Sequence, residues 1–200
     1  IQNVLCLSGF HQTLMGCGES ANVFDVDSIQ LIDIVKRMNE GALLDGTPIQ
    51  GPFGMLIGAA ANPALKPLEL NILRLSKKVA VGADFIQTQP IFDVDSFAIW
   101  LRAAREAGLD EKTAILAGVM PLKSAAQAKE LVDGHTDFII SDAVIDRLRT
   151  AGGVEAQRKE GIRIAAEMIT RLRELDGVRG VHILSGGNES SLGEVLAAAS

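Results

Sequence analysis

The stretch Gly82-Ala83-Asp84-Phe85-Ile86-Gln87-Thr88-Gln89-Pro90-Ile91-Phe92-Asp93 reads as a glycine-led apolar strand that ends in polar groups. The helical pattern before it carries Asn71, Arg74, Lys77 and Lys78. A buried strand that delivers an amide side chain to its C-terminal end is how parallel α/β architectures build a binding site, so the chemistry is expected to gather at Gln89.

Similar units lie on both sides of this stretch. Apolar, β-branched runs at Val4–Leu7, Met55–Ala59, Phe85–Gln89, Ala114–Val119 and Gly180–Leu184 alternate with helical patterns. The run Phe138-Ile139-Ile140 reads as an extended connector. Helices are expected from Ser28 to Glu40 after an Asp27 cap, and from Pro63 or Pro67 to Val79. Further helices are expected from an Asp95 cap through Glu106, from Lys123 to Asp133, and from Val154 to Leu175. Strand-helix-strand alternation predicts a parallel sheet with right-handed crossovers, and at this point a doubly wound sheet and a barrel both satisfy it.

The chain has 200 residues, 48% of them apolar and 22% charged, which is a globular composition and suggests one domain. A net charge of −6, with no basic run, argues against nucleic acid as the main partner. No apolar segment approaches the ~20 residues that a membrane helix needs. The chain opens at Ile1 without a charged segment before its first apolar run, so no secretory signal is expected. Cys6 and Cys17 form no disulfide framework or metal spacing, and the default compartment is the reducing cytoplasm.

In the helix ending at Val79, Leu68, Ile72, Leu75 and Val79 form a stripe that should pack on the sheet. Asn71, Arg74 and Lys78 share another face. That face is either a solvated cationic surface or a clamp for phosphate or carboxylate. Gln89 both donates and accepts, which suits a heterocycle with adjacent C=O and N–H groups, or it simply closes a strand end. The glycine-containing loops after Leu7 and Leu184 sit where backbone can approach a ligand. His11, His135 and His182 lack ligand spacing, and His182 reads as a satisfied core histidine. The pairs Asp25/Asp27 and Asp93/Asp95 read as helix caps, and no nucleophile elbow, phosphate-binding loop or dinucleotide fingerprint is present.

Taken in order, Asn3–Gly9, Val23–Leu31, Ile57–Pro63, Lys77–Asp93, Leu116–Ser124 and Gly180–Ile183 resemble the methylenetetrahydrofolate reductases, particularly those of anaerobic one-carbon metabolism. The resemblance is colinear over nearly the whole chain. It implies a flavin-containing (β/α)8 TIM barrel that interconverts 5,10-methylenetetrahydrofolate and 5-methyltetrahydrofolate by ping-pong hydride transfer. FAD is the implied cofactor, with FMN an alternative. The implied partners are tetrahydrofolate, NAD(P)H or a redox subunit as electron donor, and further copies in an oligomer. Gly9, Phe10, Phe24, Ala59, Ala60, Asn62, Asn71, Arg74, Lys77 and Lys78 fall at cofactor positions, and Gln89 at the position that contacts the pterin.

Two departures from the family pattern follow. Residues 1–200 form a single domain that looks N-terminally incomplete, supplying strands four to eight of a barrel that typically takes about 250 residues. The family's general-acid glutamate belongs to a strand not represented here. In addition, Phe10 stands where the family usually has an aspartate close to the flavin. A partner-dependent folate- or flavin-binding subunit without catalysis, and a pterin-binding barrel methyltransferase, are the alternative readings.

Overall fold

The computed structural model describes residues 1–9, 19, 21, 23, 25–51, 53–134, 139–187 and 189–199. Five strands, β1 (Asn3–Cys6), β2 (Leu56–Ala61), β3 (Phe85–Pro90), β4 (Ala114–Val119) and β5 (Val178–Ile183), form one parallel sheet in the order β1-β2-β3-β4-β5. Sequential order means that every right-handed crossover steps in the same direction, so the helices gather on one face. A doubly wound sheet reverses direction at a switch point, and this sheet does not.

The crossovers are α1 (Ser28–Asn39), α2 (Leu68–Val81), α3 (Val94–Glu106) and the group α4 (Ala125–Gly134), α5 (Asp142–Thr150) and α6 (Val154–Arg173). A last helix, α7 (Leu192–Ala198), follows β5. Asp27 caps α1, accepting from the Ile29 and Gln30 amides at 2.8 Å each, while Gln30 Oε1 accepts from the Asp27 amide. Gly82 ends α2 at φ 121, a conformation open to glycine. The cap of α3 is Asp93 rather than Asp95. Its carboxylate accepts from the Asp95 and Ser96 amides, and Asp95 lies inside the first turn. The short helices α5 and α7 were not expected from the sequence. Of the expected connector at 138–140, Phe138 lies outside the described residues, while Ile139 is exposed and Ile140 buried.

Side chains alternate along the strands as the pleat requires. Ile57 and Ala59 of β2, Ile86 and Thr88 of β3, and Ile115 and Ala117 of β4 are buried beneath the helices with Phe97, Trp100, Ile169 and Leu172. The stripe on α2 behaves as its spacing predicts: Leu75 and Val79 are buried, and Leu68 and Ile72 pack against the core. At the other end of the sheet, a side chain at Gly161 of α6 would overlap the Leu122 carbonyl, so glycine there lets the helix lie against the connection after β4. The opposite face of the sheet carries Phe85, whose ring covers Gly58, together with Leu116 and His182, all partly exposed. Among the described residues β1 and β5 each pair on one side only. No helix among them is long and apolar enough to cross a membrane.

Candidate active site

A cleft of about 460 Å³ opens at the C-terminal ends of β1, β2 and β3. That is the end of a parallel sheet where ligands bind. Its floor is Ala60, Ala61 and Asn62, leaving β2, and Gln89 comes from the end of β3. One wall is the loop Leu7-Ser8-Gly9. Gly9 has φ +74 with no described residue where a side chain would stand, so its backbone can meet a ligand directly. The other wall is α2, which presents Leu70, Asn71, Arg74 and Lys78.

Spacings of four residues align Leu70, Arg74 and Lys78 along one side of α2. Lys78 Nζ donates to the Ala60 carbonyl at 2.6 Å, which holds the amine at the base of the cleft. Burial pushes the Lys78 pKa below its ordinary range, and Arg74 adds to the shift while Asp27 opposes it. Three cationic residues, Lys66, Arg74 and Lys78, therefore line one cleft with no carboxylate among its described lining residues. Such an arrangement favours an anion. The side-chain amide of Gln89 has no hydrogen-bond partner among the described residues, leaving its donor and acceptor available.

Asn71 has a different task from the one its spacing suggests. Its Nδ2 donates to the Asn62 carbonyl at 2.6 Å and the Leu65 carbonyl at 3.1 Å, and its Oδ1 accepts from Trp100 Nε1 at 3.2 Å. The residue lines the cleft, but its amide is spent tying the loop after β2 to α2 and α3. Gly9, Ala60, Asn62, Arg74, Lys78 and Gln89 join it in the lining. Ala59 does not, because its side chain is fully buried on the helix side of β2. Lys77 is exposed and lies outside the lining, one residue off the face that Arg74 and Lys78 share. Phe10 and Phe24 lie outside the described residues.

Sequence reasoning missed Ser28, Leu65, Lys66 and Leu70 in the lining. Leu70 was available from its four-residue spacing to Arg74, whereas Ser28 and Leu65 arrive through tertiary packing. His182 is half-buried on the helix-free face rather than sunk in the core, and desolvation holds its pKa below the usual imidazole value. Among the described residues no cluster of three or more His, Cys, Asp or Glu side chains stands ready to hold a metal ion.

The family model for methylenetetrahydrofolate reductase matches residues 2–200. The chain belongs to the methylenetetrahydrofolate reductase family. It is 37% identical over 76 residues to methylenetetrahydrofolate reductase 2 of Saccharomyces cerevisiae, covering 35% of this chain and 12% of that protein. It is 28% identical over 121 residues to the 5,10-methylenetetrahydrofolate reductase of Salmonella typhimurium, covering 60% of this chain and 40% of the relative. The chain thus spans well under half the length of these methylenetetrahydrofolate reductases. A solved structure of an uncharacterized protein from Clostridium thermocellum, described as binding two copies of 5-methyl-5,6,7,8-tetrahydrofolic acid, superimposes with a TM-score of 0.58. The match covers 90% of this chain and 59% of that one at 14% identity, a likeness of fold.

Proposed function

We propose that the cleft binds a flavin and a reduced folate, and that the chain takes part in hydride exchange between 5,10-methylenetetrahydrofolate and 5-methyltetrahydrofolate. The observation that carries this reading is the meeting of Arg74, Lys78 and the unpartnered Gln89 amide in one cleft of a methylenetetrahydrofolate reductase-family chain. The donor set suits a flavin. Lys78 and Arg74 are placed for a phosphate, Gly9 allows backbone approach, and Leu65 and Leu70 offer an apolar wall. FAD is the expected form, with FMN able to use the same donors. A bound flavin supplies the two-electron relay between an electron donor and the folate.

The chain's own residues bind and orient. Gln89 donates to and accepts from the amide edge of the pterin, fixing which face meets the relay. The apolar wall keeps water from the reacting carbon. The proton needed to open the substrate's ring falls to an acid outside this cleft, since no described lining residue is a carboxylate. We read β1 to β5 as the fourth to eighth strands of an eight-stranded barrel. Support comes from the strictly sequential order and the two one-sided edge strands. NAD(P)H or a redox subunit would be the electron donor, and association with further copies or subunits is part of the reading.

The test is the visible spectrum of the chain saturated with FAD, before and after anaerobic addition of 5-methyltetrahydrofolate. Bleaching is expected. A chain that takes up neither FAD nor folate refutes the proposal. Binding of both without bleaching favours instead a non-catalytic binding subunit. That second reading is the one to which Phe10, in place of the family's aspartate, points.

A further inference from the structure

The end of β3 is irregular where it matters most. The pairing of β3 with β4 runs regularly to Gln87, then skips, so that Pro90 stands opposite Gly118 and the residues between form a bulge. Proline lacks the N–H that a regular ladder would need there, which gives the bulge a local cause. Thr88 repairs the break. Its Oγ1 accepts from the Gly118 amide at 2.8 Å and donates to the Gln89 carbonyl at 2.9 Å. The Thr88 main-chain carbonyl, freed from the ladder, is held at 2.8 Å by Nε2 of His182 on β5. Because a carbonyl only accepts, Nε2 carries the proton.

His182 reaches β3 across the intervening strand, and glycine at 118 permits this. A side chain there would come within 2.5 Å of the Thr88 carbonyl and 2.9 Å of His182 Nε2. The two peptide carbonyls on either side of the Gln89 Cα are therefore each held by a named group, His182 for one and Thr88 Oγ1 for the other. Those two peptide planes set φ and ψ of Gln89, and with them the direction of its side chain.

We infer that His182 is a positioning residue that acts through the Thr88 carbonyl, with Gly118 as the gap it passes, to aim the Gln89 amide at the folate. This inference rests on the reading of Gln89 as the pterin contact. It places a functional requirement on a strand that contributes nothing to the lining of the cleft.

The test compares His182→Leu, which removes the donor, with His182→Gln, which restores an N–H near the Nε2 position. Calorimetric titration with 5-methyltetrahydrofolate reads the site, FAD titration serves as control, and the side-chain amide signal of Gln89 in ¹H–¹⁵N NMR reads its orientation without ligand. In His182→Leu the folate Kd should rise about tenfold and the FAD Kd should stay within about twofold of wild type. The Gln89 amide signal should move, and His182→Gln should recover most of both effects. An unmoved Gln89 signal with unchanged folate affinity overturns the inference. If the wild-type chain binds no folate, the functional reading fails while the NMR comparison still decides the positioning. If His182→Leu does not fold, His182→Asn keeps a polar side chain too short to reach the Thr88 carbonyl, and an unmoved Gln89 amide there overturns the inference equally.

Discussion

Replacing Lys78 by methionine separates the binding role of that residue from any structural one. The substitution keeps most of the aliphatic stem and removes the ammonium group and its 2.6 Å bond to the Ala60 carbonyl. Burial first, then Arg74, holds the Lys78 pKa below its ordinary value of 10.5. A depressed folded-state pKa means that the protonated amine is less favourable in the folded chain than in the unfolded one. Between the folded and unfolded values the unfolded chain holds more protons, so this group adds stability as pH rises through that window. Below the window the charge is a constant cost to folding. Methionine relieves that cost and forgoes a charge-assisted hydrogen bond worth roughly 1.5–3 kcal/mol, and because the two oppose, urea unfolding should stay within about 2 kcal/mol of wild type. Flavin binding has no such compensation. Loss of a charge-assisted bond to a phosphate costs roughly 1.5–3 kcal/mol, a rise of roughly 10- to 100-fold in Kd. Flavin fluorescence titration measures it. An unchanged Kd, on a chain that does bind flavin, removes Lys78 from the site. A variant that unfolds would show that the bond to Ala60 is structural first.

Asn71→Leu strands the indole N–H of Trp100 and two loop carbonyls, so stability should fall by about 2–3 kcal/mol. The emission of Trp100, the chain's single tryptophan, follows the urea transition directly, and a loss below about 0.5 kcal/mol would contradict the tether. Gly161→Ala drives a methyl group into the Leu122 carbonyl and should cost at least 1–3 kcal/mol in thermal or urea unfolding. A neutral result would show that α6 can shift away from the connection after β4. Asp93→Ala should cost about 1 kcal/mol as a lost helix cap. The Ser96 hydroxyl, followed by the Ser96 and Asp95 amides, holds the Asp93 carboxyl below its usual 3.8. Its stabilisation is therefore present above 3.8 and lost as pH falls through the lower folded value. Wild type and variant should converge in stability at strongly acid pH, and a difference that persists there would refute the assignment.

Packing beneath the helices is complete, with Trp100, Phe97 and Ile115 essentially inaccessible, whereas Leu56 on the other face of β2 remains 54% exposed. In a closed barrel the corresponding face is the packed interior.

The five strands and most of the long helices were legible residue by residue. Their signals are local: alternation in Phe85–Pro90, the Asp27 and Gln30 box before α1, and the stripe Leu68-Ile72-Leu75-Val79. So was the face shared by Arg74 and Lys78, because helical spacing alone puts residues four apart side by side. The short helix α7 carries no comparable signal, and α5 carries only the Ser141 cap, whose hydroxyl accepts from the Val144 amide. Arg147 of α5 is held by Glu160 and Glu167 of α6, and Arg158 of α6 holds Glu194 of α7, partners that folding alone brings near. The same separation hid the work of Asn71, whose indole partner lies 29 residues on, and of His182, whose carbonyl partner lies 94 residues back. The sequence by itself determined which segments are strands and helices and which side chains share a face, since those depend on residues within a few positions of one another. Strand order, the bulge before Pro90 and the identity of the groups around Gln89 were decided only by tertiary structure. Each depends on hydrogen bonds between distant strands that exist once the crossovers have closed.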